Sequence, residues 1–280
     1  MADVLQTSTS TARPGGSFGP YRAVIASRIR AQRAYPTGFA LDISSSLLIG
    51  LTEFAEMFVI FHNVSVLGGL DFHAMLLLFG LSNLSWSIAD MVVGHVDTLP
   101  TYVRAGTLEA FFLRPQPVLA QLITSEFTLR RLARLSVGLV TMVVGLAINE
   151  IDWGVDTVVV LVMAVVFGSL IFAACFVAAA SLQFFLINGA ELTNTFTYGG
   201  SYASAQPASV FPMSLKIVFG YLVPVTFTSY LPTLWILDLP GPPLLPAWLV
   251  WLLPVAALYS WAVALRLWTW GCRHYQGGGG

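Results

Sequence analysis

The stretch VDTVVVLVMAVVFGSLIFAACFVAAASLQFFLI, residues 155–187, decides the class of this chain. Past Asp156 it holds no charged residue, and about 20 apolar residues in a helix suffice to cross a hydrocarbon core of roughly 30 Å. A helix of a soluble domain carries a polar stripe that this run lacks. Comparable runs lie on both sides of it: residues 38–61, 72–94 and 246–270, with a shorter one at 135–149 that ends a helical stretch beginning near Val118. Two further pieces compete for one more crossing. Residues 191–206 are rich in Thr, Ser and Gly, and residues 212–232 are apolar; Pro207, Pro212, Pro224 and Pro232 punctuate this region, each costing a helical hydrogen bond.

Composition agrees with a membrane chain. Of 280 residues 56% are hydrophobic and 10% charged, against roughly 25% charged in soluble domains. A disordered chain, a collagen-like chain and an ordinary cytosolic enzyme are excluded on that count. Two cysteines, Cys175 and Cys272, lack CxxC or Cys/His spacing, so neither a disulfide framework nor a metal site is expected. The formal net charge of -1 points to no nucleic-acid partner. A GK[ST] phosphate loop, HExxH and GxSxG are missing, and His62, His73, His95 and His274 are scattered, which reads as surface or interfacial histidine. No catalytic residue is assigned, and the chain is not expected to be an enzyme.

The position of the charges sets the topology. The basic residues are arginines apart from Lys216, and they group at 13–33, 104–134 and 266–273. Arginine-rich flanks mark the cytoplasmic side. Glu150, Asp152 and Asp156 fill a loop without a basic residue, as an exterior loop does. With N-terminus, C-terminus and the 101–117 loop all inside, the number of crossings is even, and six is the expectation. The first 37 residues are polar or interfacial and the first apolar run is too long for a signal peptide, so the chain is expected to insert through its own helices. Residues 1–17 read as a flexible tail, 18–36 as an amphipathic helix on the inner leaflet, 37–272 as the membrane-spanning domain and 273–280 as a cytoplasmic tail.

Ionisable groups inside a span cost at least about 2.5 kcal/mol on insertion scales, so those present are candidates for function. Glu53 and Glu56 stand three apart on the first span, with Ser46 and Thr52 nearby. They are either a polar wall of a substrate path or an inter-helix hydrogen-bonding pair. Thr193, Asn194, Thr195, Thr197 and Ser201 make the 191–206 piece, as a span, too polar for lipid on every face, so it would face protein or a water-filled path. Asp42 and Asp90 are expected to pair with Arg33 or Arg104. Arg130, Arg131 and Arg134 either snorkel to the headgroups or line a cytoplasmic vestibule, snorkelling being the favoured reading.

The 101–117 loop, TYVRAGTLEAFFLRPQP, places Leu108, Phe111 and Phe112 on one helical stripe, an apolar face turned to the cytoplasm. Its Arg104, Gly106, Thr107-Leu-Glu and Leu113-Arg-Pro resemble the cytoplasmic loop of the ATP-binding-cassette (ABC) exporter permeases of type 2. Phe211-Pro-Met-Ser, Val223-Pro-Val, Tyr230-Leu-Pro and the ending Trp270-Gly-Cys-Arg-His-Tyr-Gln-Gly resemble the same family in the same order. The resemblance implies an all-α polytopic fold of six transmembrane helices with an N-terminal interfacial helix. It implies a coupling helix over residues 104–113, whose Arg104, Leu108, Glu109, Phe111, Phe112, Leu113 and Arg114 dock on a separate ATPase. It also makes residues 190–206 the fifth span and Pro207, Pro212, Pro224 and Pro232 the marks of an extracellular re-entrant hairpin, with Lys216 outside.

By the same resemblance the partners are a pair of nucleotide-binding ATPase subunits, a second permease that is either this chain or a related one, and the lipid bilayer of the cell membrane. ATP and magnesium belong to the ATPase, and no cofactor to this chain. The substrate path is assigned to Glu53, Glu56, Thr193, Asn194 and Thr197. The rival is an ATP-independent secondary transporter or channel, for which Glu53 and Glu56 suit proton coupling.

Overall fold

The computed structural model describes residues 36–125, 131–185 and 190–275. The N-terminal tail, the interfacial helix expected over 18–36 apart from Pro36, Arg130, and the residues past Tyr275 lie outside this description, as do the side chains of Asp42, Ser46, Thr193 and Asn194. The described chain is all-helical, with one isolated bridge between Leu67 and Leu70.

Helix α1 spans Pro36–Asn63 and α2 spans Phe72–Val93. Gly68 and Gly69 turn the chain between them with φ of +59° and +89°, a backbone that side-chain-bearing residues rarely adopt. Asp71 starts α2 by accepting the Ala74 N–H at 2.9 Å. A 3-10 turn, Gly94–Thr98, leads to α3 (Leu99–Arg104), α4 (Glu109–Phe112) and α5 (Val118–Ser125). Then follow α6 (Arg131–Ile148), α7 (Val155–Leu182) and α8 (Ala190–Ser204). Beyond these come α9 (Met213–Ile217), continued by a π turn to Leu222, α10 (Tyr230–Ile236) and α11 (Leu253–His274).

Helices α2 and α6 run antiparallel in close contact, and glycine is the reason. A Cβ on Gly138 would come within 2.7 Å of the Leu84 nitrogen and one on Gly145 within 2.7 Å of Leu77 Cα, while one on Gly80 would strike the Met142 backbone. Bare backbone at these positions lets the helices approach as small-residue interfaces in membranes do. Asn149 closes the same end of the pair by donating to the His73 carbonyl at 2.8 Å. Helix α7 is buried against α2 and α11, and the apolar core divides along these helices into two stacked clusters. One holds Leu77, Leu81, Val160, Ile171 and Leu231; the other holds Trp86, Phe172, Phe176, Leu108 and Trp268.

The two ends of the bundle differ in charge. Arg104, Arg114, Arg131 and Arg273 gather where α3, α4 and the end of α11 meet, as the Phe112–Tyr275 ring stack at 5.8 Å shows. Asp71, Glu150, Asp152, Asp156 and Asp238 occupy the opposite end. Among the described residues four helices are long and apolar enough to cross a membrane: Phe72–Arg104, Arg131–Ile148, Val155–Leu182 and Ala247–His274. The bent pair Met213–Leu222 and Val225–Ile236, which turns by 74°, makes five if it counts as one span. The expected six is thus not reached by these helices alone. Helix α1 has 28 residues but several undescribed side chains and stands outside the count, and α8 has only 15 residues.

The prolines shape the bent pair. Pro207 and Pro212 precede short helical turns in extended conformation, and Pro224 sits at the bend. Pro232 lies in the first turn of α10, where its missing N–H removes no helical bond. The segment starts beside the α1–α2 turn, where Ser209 donates to the Gly68 carbonyl at 2.5 Å. It finishes beside the start of α7, where the Trp235 indole donates to Asp156 at 3.2 Å.

Candidate functional site

A charged groove runs along α2 between α1, α6 and α8. Asn83, Trp86 and Asp90 fall on one face of α2, three and four residues apart, and α6 sets Arg131 and Arg134 opposite them. Arg131 holds Asp90 twice, by an ion pair at 3.2 Å and a hydrogen bond to the Asp90 carbonyl at 2.7 Å. Gly94 leaves room for this: a Cβ there would stand 3.0 Å from the Arg131 guanidinium and closer still to the Asp90 carboxylate. Arg134 pairs with Glu53 at 2.5 Å, and its guanidinium carbon lies 4.0 Å from the centroid of the Trp86 ring. Both arginine side chains are 15% exposed. Each turns to a carboxylate of a neighbouring helix, where the sequence reading favours snorkelling. Asp90 thus has Arg131 as a partner, which the charge pattern of the sequence does not single out, while Arg33 lies outside the described residues.

Two cavities share this groove. The first, of about 130 Å³, has Glu53, Glu56, Asn83, Ser201 and Tyr202 on its polar side and Met57, Phe61, Met75 and Phe79 on its apolar side. The second, of about 350 Å³, reaches toward the arginine-rich end past Ser45, Trp86, Asp90, Asp97 and Arg131. Arg134 and Tyr198 line both, so these two side chains stand at the boundary between them. Glu56 accepts a hydrogen bond from the Tyr202 hydroxyl. Tyr198 packs on Trp86 with ring centroids 5.7 Å apart.

The sequence-derived path residues thus meet the groove in part. Glu53 and Glu56 bond to neighbouring helices and also line the first cavity. Thr197 is 2% exposed and lines neither cavity. The face that does so is Tyr198, Ser201 and Tyr202, spaced three and four apart, which turns Thr197 into the helix packing. Thr52 closes on its own helix by donating to the Leu48 carbonyl at 2.8 Å. Asn83, Trp86 and Tyr202 escape a reading based on composition, though a tyrosine pair at i and i+4 on a polar helix is a visible signal.

The loop at the arginine-rich end departs from expectation in a definite way. Residues 104–113 are not one helix: Gly106, at φ +65°, breaks them into α3 and the single turn α4. The break rotates Leu108 off the stripe. Its side chain is fully buried in the chain's own core, so it is no docking residue. Phe111 packs half-buried on Tyr102, with rings 5.4 Å apart. What remains outside is Leu113, 88% exposed, Phe112, 42% exposed, and the exposed Arg104, Glu109 and Arg114. Gln121 fastens this knob to α5 by donating to the Phe111 and Gln116 carbonyls at 3.0 and 2.7 Å. His95 is buried, not interfacial: its Nε2 lies 3.1 Å from the Tyr102 hydroxyl and 3.2 Å from that of Thr98.

No curated protein and no solved structure matches this chain. One family model does, described as ABC-2 family transporter protein, over residues 47–279, a stretch that takes in the groove, the knob and the bent pair. With the apolar helices on the page, this match places the chain in the ABC-2 transporter family, as a multi-pass membrane permease of an ABC transporter.

Proposed function

We propose that this permease is a six-span exporter subunit of the cell membrane that forms its path with a second permease and is driven by a pair of separate ATPase subunits. The observation that carries this reading is the knob of α4. An 88%-exposed leucine beside a 42%-exposed phenylalanine is an aromatic and aliphatic anchor of the kind that fills a pocket on a partner protein. Gln121 holds that anchor rigid, so a push on it moves α5 and, through the Phe112–Tyr275 stack, the end of α11. ATP and magnesium act in the partner, and this chain converts the closure of the ATPase pair into a shift of its helices.

Leu113→Asp is the test. Expected is a chain that inserts and stays monodisperse but binds its ATPase subunit at least about tenfold more weakly, with transport lost in proportion. Retention of the subunit and of stimulated hydrolysis would remove α4 from the coupling contact. Leu108→Ala separates the roles, because it empties a core site. It is expected to lower the thermal stability of the chain, by about 2–5 kcal/mol, without acting on the docked surface.

In the six-span topology α1 and α8 cross along with the four apolar helices, and the bent pair between Pro207 and Pro232 is re-entrant from the exterior. Supporting this, the bent pair begins against Gly68 and ends against Asp156, both at the acidic end of the bundle. The arginine-rich end, with both termini, is then cytoplasmic. In a chain whose Cys175 and Cys272 are replaced, a cysteine at Lys216 is expected to react with an impermeant maleimide from outside. One at Arg104 is expected to react only from the cytoplasm. Inside-only labelling at Lys216 makes the bent pair a true span instead.

A further inference from the structure

The balance of charge in the first cavity names a substrate class. Two carboxylates, Glu53 and Glu56, face one guanidinium, and its charge is matched by Glu53: Arg134 holds Glu53 at 2.5 Å and lies over Trp86, its Nε being left without a partner among the described residues. Glu56 has the Tyr202 hydroxyl as its donor and, among the described residues, no cation. An anion entering here meets an unpaired carboxylate and finds Arg134 already engaged. A cation meets the opposite.

Asn83 adds a second, independent mark. It is 5% exposed and lines the cavity, and its amide nitrogen donates to the Phe79 carbonyl at 3.4 Å. This leaves the amide oxygen, a strong acceptor, without a donor among the described residues. The oxygen is open to the cavity, so a ligand there can supply the hydrogen. Opposite the polar side stand Met57, Phe61, Met75 and Phe79, an apolar wall, and the 53%-exposed Tyr202 ring offers an aromatic face to a cation. The groove thus presents an anionic acceptor, a neutral acceptor and an apolar surface around one space.

We propose that this cavity binds amphipathic organic ammonium ions, an N–H-bearing cation on an apolar body, and that compounds of this class are the cargo. The proposal rests on the exporter reading above and takes the groove as this chain's part of the path. The ammonium ion sits against Glu56, gives a hydrogen bond to the Asn83 amide oxygen, and lays its apolar part on Phe79 and Met75. Arg134 and Tyr198, at the boundary with the second cavity, are the next groups such a cation passes, and Asp90 and Asp97 line the space beyond them.

Three fluorescent probes test this on the purified full chain in nanodiscs: 1-naphthylmethylammonium, its N-trimethyl analogue and 1-naphthylacetate, with binding read from fluorescence anisotropy. Expected is saturable binding of the primary ammonium ion, weaker binding of the trimethyl ion, which has no N–H for Asn83, and none of the carboxylate. Glu56→Gln keeps an acceptor for Tyr202 but removes the charge, and is expected to weaken the ammonium ion by roughly tenfold or more, whereas Glu56→Asp recovers most of the affinity. Equal binding of naphthylacetate, or an unchanged ammonium affinity in Glu56→Gln, overturns the proposal. ATP-driven uptake of the primary ammonium ion into inside-out vesicles holding chain and ATPase is scored apart. Saturable, Glu56-dependent binding without such uptake leaves the cation site standing and overturns the assignment of these compounds as cargo.

Discussion

Gly145→Leu is expected to yield almost no folded permease. The glycine lies where α6 touches the backbone of α2, and even a Cβ would come within 2.7 Å of Leu77 Cα and 2.8 Å of its nitrogen. Backbone does not move aside as a flexible side chain does, so α2 and α6 must separate along their length. Gly138, seven residues earlier and so on the same face, meets the Leu84 nitrogen at 2.7 Å, and Gly80 faces the pair from α2. Overpacking of this kind costs about 1–3 kcal/mol for a modest intrusion and more for a whole isobutyl group against backbone. Gly199→Ala is the matched control: nothing stands within 4 Å of its added Cβ, and alanine improves helix propensity by about 1 kcal/mol. Size-exclusion profiles and melting temperatures in detergent are expected to show Gly145→Leu aggregated and Gly199→Ala at least as stable as the parent chain. A well-behaved Gly145→Leu would mean that the α2–α6 contact is not the structural seam it is taken for here.

That seam explains what the sequence discloses and what it hides. Apolar length is a local property, so the runs around 72–94, 155–187 and 246–270 are legible by inspection, as is the turn at Gly68 and Gly69. Which groups meet across helices is not local. Periodicity puts Glu53 and Glu56 on one face of α1 and Arg131 and Arg134 near one face of α6, but only the closeness set by Gly80, Gly138 and Gly145 brings α6 near enough to α2 for Arg131 to reach Asp90. Arginines that look free to snorkel become interior partners.

The α4 loop fails for another reason. A stripe of Leu108, Phe111 and Phe112 presupposes unbroken helix, and one positive φ at Gly106 is enough to shift the register. Leu108 then belongs to the core and Leu113 to the surface. A glycine followed by Thr107, which is a poor helix former, is the local signal for that break. His95 carries no such signal, because its burial depends on Tyr102 and Thr98 folding over it.

Arg134→Leu should be the more damaging half of a pair whose double replacement is mild. Removing the guanidinium leaves Glu53 within the bundle without its cation and takes away the charge lying 4.0 Å from the Trp86 ring centroid. Breaking one side of a fully buried ion pair costs about 3–5 kcal/mol because the partner's charge is left uncompensated, and with Glu53 30% exposed the loss here falls below that range. Glu53→Leu alone strands Arg134 in the same way, with Trp86 as partial relief. The double variant Glu53→Leu with Arg134→Leu removes both charges and is expected to recover more than half of the stability lost in Arg134→Leu, since apolar replacements of a buried pair approach neutrality. The cycle is measured as melting temperature in nanodiscs, and additive losses would show that the two residues act apart. Stability and transport diverge at this site: the double variant folds, yet the boundary between the two cavities has lost its one guanidinium. Transport is therefore expected to stay impaired in a chain whose assembly has been restored, and normal transport in the double variant would leave the pair a role in the fold alone.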